Sequence, residues 1–236
     1  MPNPAHPCNL PEYAALRARF NFTAGGCGAG TTANNNNTTR IRTYAVNGPS
    51  TDTSGIDVRL QYDFAALLGG RLSIGAEGTY LLDYKRGEFS LKDNPTLVIA
   101  APEDRAGLHD LVAQFFSYPQ LRANAFASFN LENWTFRWQT RFTEGTEAAF
   151  SSPTSAWVAD PSSSTGYTQA LIGKTDNYWQ HDLTVRWSVT DSVTITGSVQ
   201  NILDEDPSDA PSQYNYDYTN GNPLGRVFEI GAKVKF

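Results

Sequence analysis

Nowhere in the 236 residues is there a run approaching the roughly 18 consecutive apolar residues of a membrane-crossing helix. That excludes helical spans but not strands, because a barrel strand turns only alternate residues to lipid and so reads no more apolar than a soluble one. Clustered basic residues are also missing. The formal net charge is −6 and Lys and Arg are scattered singly, so the phosphate-neutralising surface a nucleic-acid partner needs is absent from the sequence. The first twenty residues show no basic segment followed by an apolar core, so they are not a signal peptide. The expectation is that Met1 is a truncated start, the alternative being a signal already removed.

Chemistry-bearing residues are sparse. The three histidines, His6, His109 and His181, lie on separate segments. Gly25 to Gly30 fits neither a phosphate loop nor a dinucleotide fingerprint, and no nucleophile-elbow motif occurs. Asp204, Glu205, Asp206 and Asp209 lack the spacing of a calcium loop and read as a solvated acidic turn. No catalytic, cofactor or metal site is expected, and the chain reads as no enzyme. The two cysteines, Cys8 and Cys27, share one Gly/Pro/Asn-rich stretch. In an oxidising compartment they are expected to pair, closing a loop of about 20 residues worth about 3 kcal/mol, and otherwise are unrelated thiols.

What the sequence does have is period-two alternation. After an irregular stretch over 1–37, with a short helical patch around 11–19, seven segments put apolar residues on one face and polar ones on the other. Ile56, Val58, Leu60, Tyr62 and Phe64 alternate with Asp57, Arg59, Gln61 and Asp63. Leu72 to Tyr84, Leu121 to Phe129, Trp134 to Phe142, Trp179 to Val189, Val193 to Val199 and Phe228 to Phe236 repeat the pattern. The apolar faces carry no Asp, Glu, Lys or Arg, while the opposite faces carry about fourteen. A charge facing lipid near the midplane costs about 2–4 kcal/mol, and one facing water costs little. Most segments run about 10 residues, the span of a tilted transmembrane strand, against about 5–6 for a soluble one. Links over 64–72, 129–134 and 187–193 are short. Those over 85–120, 144–177 and 203–226 are long and polar, as barrels with short periplasmic turns and long extracellular loops require. The pattern predicts an all-β, antiparallel transmembrane β-barrel.

Several of these segments carry a family likeness. Ser54-Gly55-Ile56-Asp57-Val58-Arg59-Leu60 and the strand from Leu72 to Tyr84, then Asn201-Ile202-Leu203-Asp204-Glu205-Asp206-Pro207, then Gly225-Arg226-Val227-Phe228 with terminal Phe236, follow one another in the order and spacing of a C-terminal barrel region. Residues from about 38 to 236 resemble the C-terminal part of TonB-dependent receptors. The resemblance implies a 22-stranded barrel, of which about seven strands are present, plugged by a globular N-terminal domain. It implies uptake of a scarce solute (siderophore, cobalamin or oligosaccharide) across the outer membrane of a Gram-negative cell, energised by TonB. It makes Asn201, Leu203, Asp204, Pro207, Gly225 and Arg226 structural motif residues and Phe236 a signal to the barrel-assembly machinery. Residues 1–37 are then an extracellular loop segment and 38–236 the C-terminal strands, with outer-membrane lipid, the receptor's own plug and TonB as partners.

Two other readings compete. A small complete barrel, acting as porin or adhesin, needs an eighth strand from Thr38 to Gly48, a stretch read here as an extension of the first long strand. A soluble β-sandwich binding module needs the Trp and Phe faces to form a dry core.

Overall fold

The structure is a computed structural model, and it describes residues 10–22, 38–43, 45, 47–91, 94–112, 115–149, 154–212 and 214–235. These fall into two units, one drawn from 1–52 and 85–104, the other comprising Thr53–Tyr84 and Arg105–Phe236.

Seven long strands lie side by side in sequence order: β1 (Thr51–Leu67), β2 (Gly70–Arg86), β3 (Leu121–Leu131), β4 (Trp134–Thr143), β5 (Tyr178–Ser188), β6 (Val193–Gln200) and β7 (Val227–Val234). They match the seven alternating segments of the sequence, and the sheet is an antiparallel meander. Registers are regular: Ala125 of β3 faces Ala76 of β2 and Thr140 of β4, Trp134 of β4 faces Trp187 of β5, and Val199 of β6 faces Phe228 of β7. β1 and β2 are joined through Leu68 and Gly69, both at positive φ (53° and 81°), the backbone a two-residue hairpin requires. β5 and β6 are joined through a turn in which Thr190 Oγ1 accepts the backbone N–H of Val193 at 3.1 Å. Among the described residues β1 and β7 are the edges of this sheet, which does not close on itself.

Period-two alternation accounts for the faces. Leu60 is 68% exposed and Ile230 is 83% exposed. Tyr62, Trp134, Phe136, Trp138, Trp179, Trp187 and Phe228, all on the apolar face, are exposed as well. Buried apolar side chains among the described residues are few: Leu111, Phe116, Tyr178 and Ala210, none of them in the middle of a long strand. Among the described residues no second sheet packs on the aromatic face, so they do not form the dry core that the soluble-sandwich reading needs. Covering such a face is worth about 25 cal/mol per Å², and an apolar expanse of this size marks a surface that meets something other than water.

The smaller unit has a helical turn (Pro11–Tyr13 running into Ala14–Arg17), where the patch around 11–19 was expected. Phe20–Phe22 pairs antiparallel with Thr38–Ile41, and Phe89–Leu91 pairs with Asn94–Ala100. The expected continuation of Thr38 to Gly48 into β1 does not form. Asn47, Gly48 and Pro49 lie outside any strand, Pro49 having no N–H to give a ladder. Since Thr38–Ile41 takes Phe20–Phe22 as its partner, it is not the eighth strand the small-barrel reading needs.

Candidate functional site

The charged face of the sheet and the long loops at one of its ends are bound into one polar system. On β1 and β2 three carboxylates meet a hydroxyl across the hairpin: Ser54 Oγ donates to Asp83 at 2.7 Å, Thr79 Oγ1 to Asp57 at 2.5 Å, and Ser73 to Asp63. Farther along, Arg141 of β4 forms an ion pair with Asp182 of β5, and Gln180 Nε2 donates to the same carboxylate at 3.0 Å. Phe126, an aromatic ring on this polar face, lies where a Cβ on Gly75 would sit 2.5 Å from it, and the Arg137 guanidinium covers the ring at 4.2 Å. Arg59, Glu77, Asn124, Phe126, Arg137 and Gln139 line a depression of about 170 Å³.

The long-loop end is where the buried groups gather. Leu108–Asp110 pairs with Phe116–Ser117 and with Glu147–Ala148, a small sheet that brings two loops together. At its centre Thr146 is 2% exposed and His109 equally so. His109 Nδ1 lies 3.0 Å from Thr146 Oγ1, which lies 3.1 Å from Thr175 Oγ1 and 3.3 Å from Ser117 Oγ. Ser117 Oγ donates to Asp217 at 2.8 Å, and Asn220 Nδ2 reaches the same carboxylate at 2.7 Å. Asp217 also accepts the Thr219 N–H and hydroxyl, the local turn its side chain favours. Three loops thus meet on one polar node, and Arg122 of β3 ties it to the sheet through Asn220. Gly145 enters this node because a Cβ there would collide with the Thr175 carbonyl oxygen. Around it Arg105 covers the Phe116 ring at 4.1 Å, and Tyr118 stacks on Tyr84 at 4.0 Å.

Burial holds the His109 imidazole below its ordinary value of 6.5, against the pull of the Asp217 and Asp110 carboxylates. Ser117 is bonded to Asp217 and Thr146 rather than to His109, so the node has no nucleophile activated by a base. Its chemistry is that of a clasp. None of its members was singled out from sequence as a site, because they come from three loops with no common spacing. Only Asp217, followed by Thr219 and Asn220, carries a local signal of a turn.

Asn201, Asp204, Gly225 and Arg226 lie where β6 ends and β7 begins. Asn201 is 1% exposed with φ +51°, a conformation Asn tolerates. Its side chain accepts the Glu205 N–H at 2.9 Å and donates to Glu205 O at 2.8 Å, while its own N–H reaches Asp182 at 2.9 Å. Asp204 Oδ1 accepts the Arg226 N–H at 2.6 Å, and a Cβ on Gly225, whose φ is +63°, would lie 2.9 Å from that oxygen. Pro207 packs on Gly221, where a Cβ would run into the proline ring. Leu203 is exposed. Asn201 thus joins the turn to β5, and Asp204 joins it to the residue that precedes β7. Cys8, Cys27 and Phe236 lie outside the described residues.

Residues 20–202 match the family model described as TonB dependent receptor-like, beta-barrel. The chain belongs to the TonB-dependent receptor β-barrels. Among solved structures it is similar to a mutant of the ferric enterobactin receptor PfeA of Pseudomonas aeruginosa, at 14% identity and a TM-score of 0.47, over 80% of this chain and 23% of that one. It is also similar to the outer membrane transporter YddB of Escherichia coli, at 13% identity and a TM-score of 0.46, over 78% of this chain and 25% of that one. The chain thus spans about a quarter of the length of the receptors it matches. No curated protein matches. Members of this receptor family are transporters rather than enzymes.

Two outcomes follow for the receptor chain. Asn201→Ala strips two side-chain hydrogen bonds from a buried turn, and should lower unfolding stability in detergent by about 1–3 kcal/mol; an unchanged unfolding midpoint would contradict the bracing role. The neutral His109 ring is the folded form, so unfolding takes up a proton. Its contribution is complete above about pH 6.5 and is lost as pH falls through the lowered folded value. Deuterium exchange at Gly107, whose N–H donates to Tyr118 O at 2.7 Å, should therefore accelerate below that pH beyond the intrinsic chemical rate. His109→Gln should flatten the response, and an unaltered pH profile in that variant would assign it elsewhere.

Proposed function

We propose that this chain forms the C-terminal strands of an outer-membrane receptor of a Gram-negative cell that imports a scarce solute with energy relayed by TonB. The observation that carries the reading is the division of the sheet: an exposed apolar face that carries no charged side chain through the seven alternating segments, from Ile56–Phe64 and Leu72–Tyr84 onward, backed by a face of linked charges and hydroxyls, in a chain of this family. In lipid the first face is stable and the second must meet water. β1 and β7 are open edges whose backbone groups need further strands, as a larger barrel provides.

In this reading the charged face lines the lumen against the receptor's plug, and the clasp at His109, Thr146 and Asp217 holds the extracellular loops. Tyr214, Tyr216 and Tyr218, with ring centroids 5.5–6.1 Å from Tyr214, offer stacking surfaces suited to a siderophore, cobalamin or oligosaccharide. Cys8 and Cys27 form a disulfide in an extracellular loop segment, and Phe236 is read by the barrel-assembly machinery. Asn201, Leu203, Asp204, Pro207, Gly225 and Arg226 serve as the family's structural motif.

Uptake of labelled ferric siderophores, cobalamin and oligosaccharides in cells with and without the gene tests this. One label should accumulate inside the cell, and its accumulation should fall to background when TonB is removed. Uptake that persists without TonB and rises linearly with external concentration would instead mark a passive pore.

A further inference from the structure

The apolar face between β4 and β5 holds two polar side chains directly opposite one another, Thr140 and His181. Trp138 Nε1 donates to Thr140 Oγ1 at 3.1 Å, and Thr140 Oγ1 lies 2.9 Å from His181 Nδ1. A hydroxyl has a single proton to give. The arrangement that satisfies all three groups runs from the indole N–H to the hydroxyl oxygen, and from the hydroxyl proton to Nδ1. It leaves the imidazole proton on Nε2, for which no described residue is an acceptor. The ring lies between Trp138, at 5.6 Å, and Trp179, at 6.3 Å and nearly parallel to it.

Depth and surroundings narrow what can accept from this donor. His181 sits one pleat, about 7 Å, below Trp179, whose ring meets Phe142 at 4.4 Å near the loop ends of both strands. Such rings mark the level of lipid headgroups. One pleat farther from the loops, on the same face, an apolar groove of about 370 Å³ opens between Leu183, Val185, Val199, Phe228 and Ile230, over the bare backbone of Gly197. A donor just below the headgroup level and a groove beneath it fit an acceptor oxygen attached to a hydrocarbon chain. Left without one in hydrocarbon, the N–H would be strongly unfavourable.

We propose that His181 and this groove hold one ester-linked lipid of the surrounding membrane, its ester carbonyl on Nε2 and its acyl chain against Leu183, Val199 and Phe228. The inference rests on the reading above that this face meets lipid. Thr140 and Trp138 are positioning residues, which fix the tautomer that presents the donor.

The protein is taken from the outer-membrane fraction into detergent and titrated, under native mass spectrometry, with dioleoyl phosphatidylethanolamine or its diether analogue. One added hydrogen bond predicts about a five-fold preference for the diester. The preference should vanish in His181→Phe, weaken in Thr140→Val and persist in His181→Gln, which keeps a donor. Equal retention of the two lipids, a preference that survives in His181→Phe, or a dimer that forms in place of the adduct overturns the inference. Absence of the protein from the outer-membrane fraction would overturn the receptor reading and this inference with it, whereas presence there without ester preference overturns this inference alone.

Discussion

A strand turns successive side chains to opposite sides, so a chain that keeps its charges on alternate residues through seven neighbouring strands commits one whole face of the sheet to water and the other to an apolar medium. Everything else in the larger unit is arranged around that division. Bulky rings such as Trp134 and Trp187, 5.1 Å apart across β4 and β5, stack on the apolar side with no second layer over them among the described residues. On the other side Asp57, Asp63, Asp83 and Asp182 each receive a hydroxyl, amide or guanidinium from a neighbouring strand or the same one. A one-residue slip in any register would put such a carboxylate among the rings, and the alternation therefore fixes pairing as firmly as the backbone ladder does.

Loops follow a different logic. The largest share of buried side chains lies at the long-loop end, and most of those are polar: His109, Asp110, Ser117, Thr146, Thr175 and Asp217. Hydrogen bonds between hydroxyls and one carboxylate join three loops there without a sizeable apolar core. Such a clasp is specific in geometry and modest in net energy, since each bond replaces one to water. It suits loops that must be held in place yet remain sensitive to proton uptake at His109.

Strands were legible in the sequence because their signal is local and repeated. Charges at Asp57, Arg59, Arg137, Arg141 and Asp182 locate the wet face without any knowledge of which strands pair. Short links at Leu68 to Gly69 and at Val189 to Ser192 set the meander order. The fate of Thr38 to Gly48 was less legible, because its alternation is weak and its partner, Phe20–Phe22, lies before a stretch of Gly and Asn that gives no register. The node at His109 was not legible at all. Its residues are ordinary in kind, with bonded partners as far apart as Ser117 and Asn220, 103 positions, and brought together only once the sheet has set where the loops begin. Asn201 falls between these cases: the motif pointed to a structural turn, and the structure supplies the reason, a buried amide closing that turn from both sides.

The central claim is that the two faces of the sheet meet different media. It is tested most directly by placing single spin labels at consecutive positions Thr194 to Val199 of β6, with Cys8 and Cys27 replaced by Ser, in the membrane-embedded protein. Collision with oxygen should peak at Ile195, Gly197 and Val199, and collision with a water-soluble nickel chelate at Thr194, Thr196 and Ser198. Labels at Ile195, Gly197 and Val199 shielded from both reagents would mean a dry protein core on that face, and the account would be wrong.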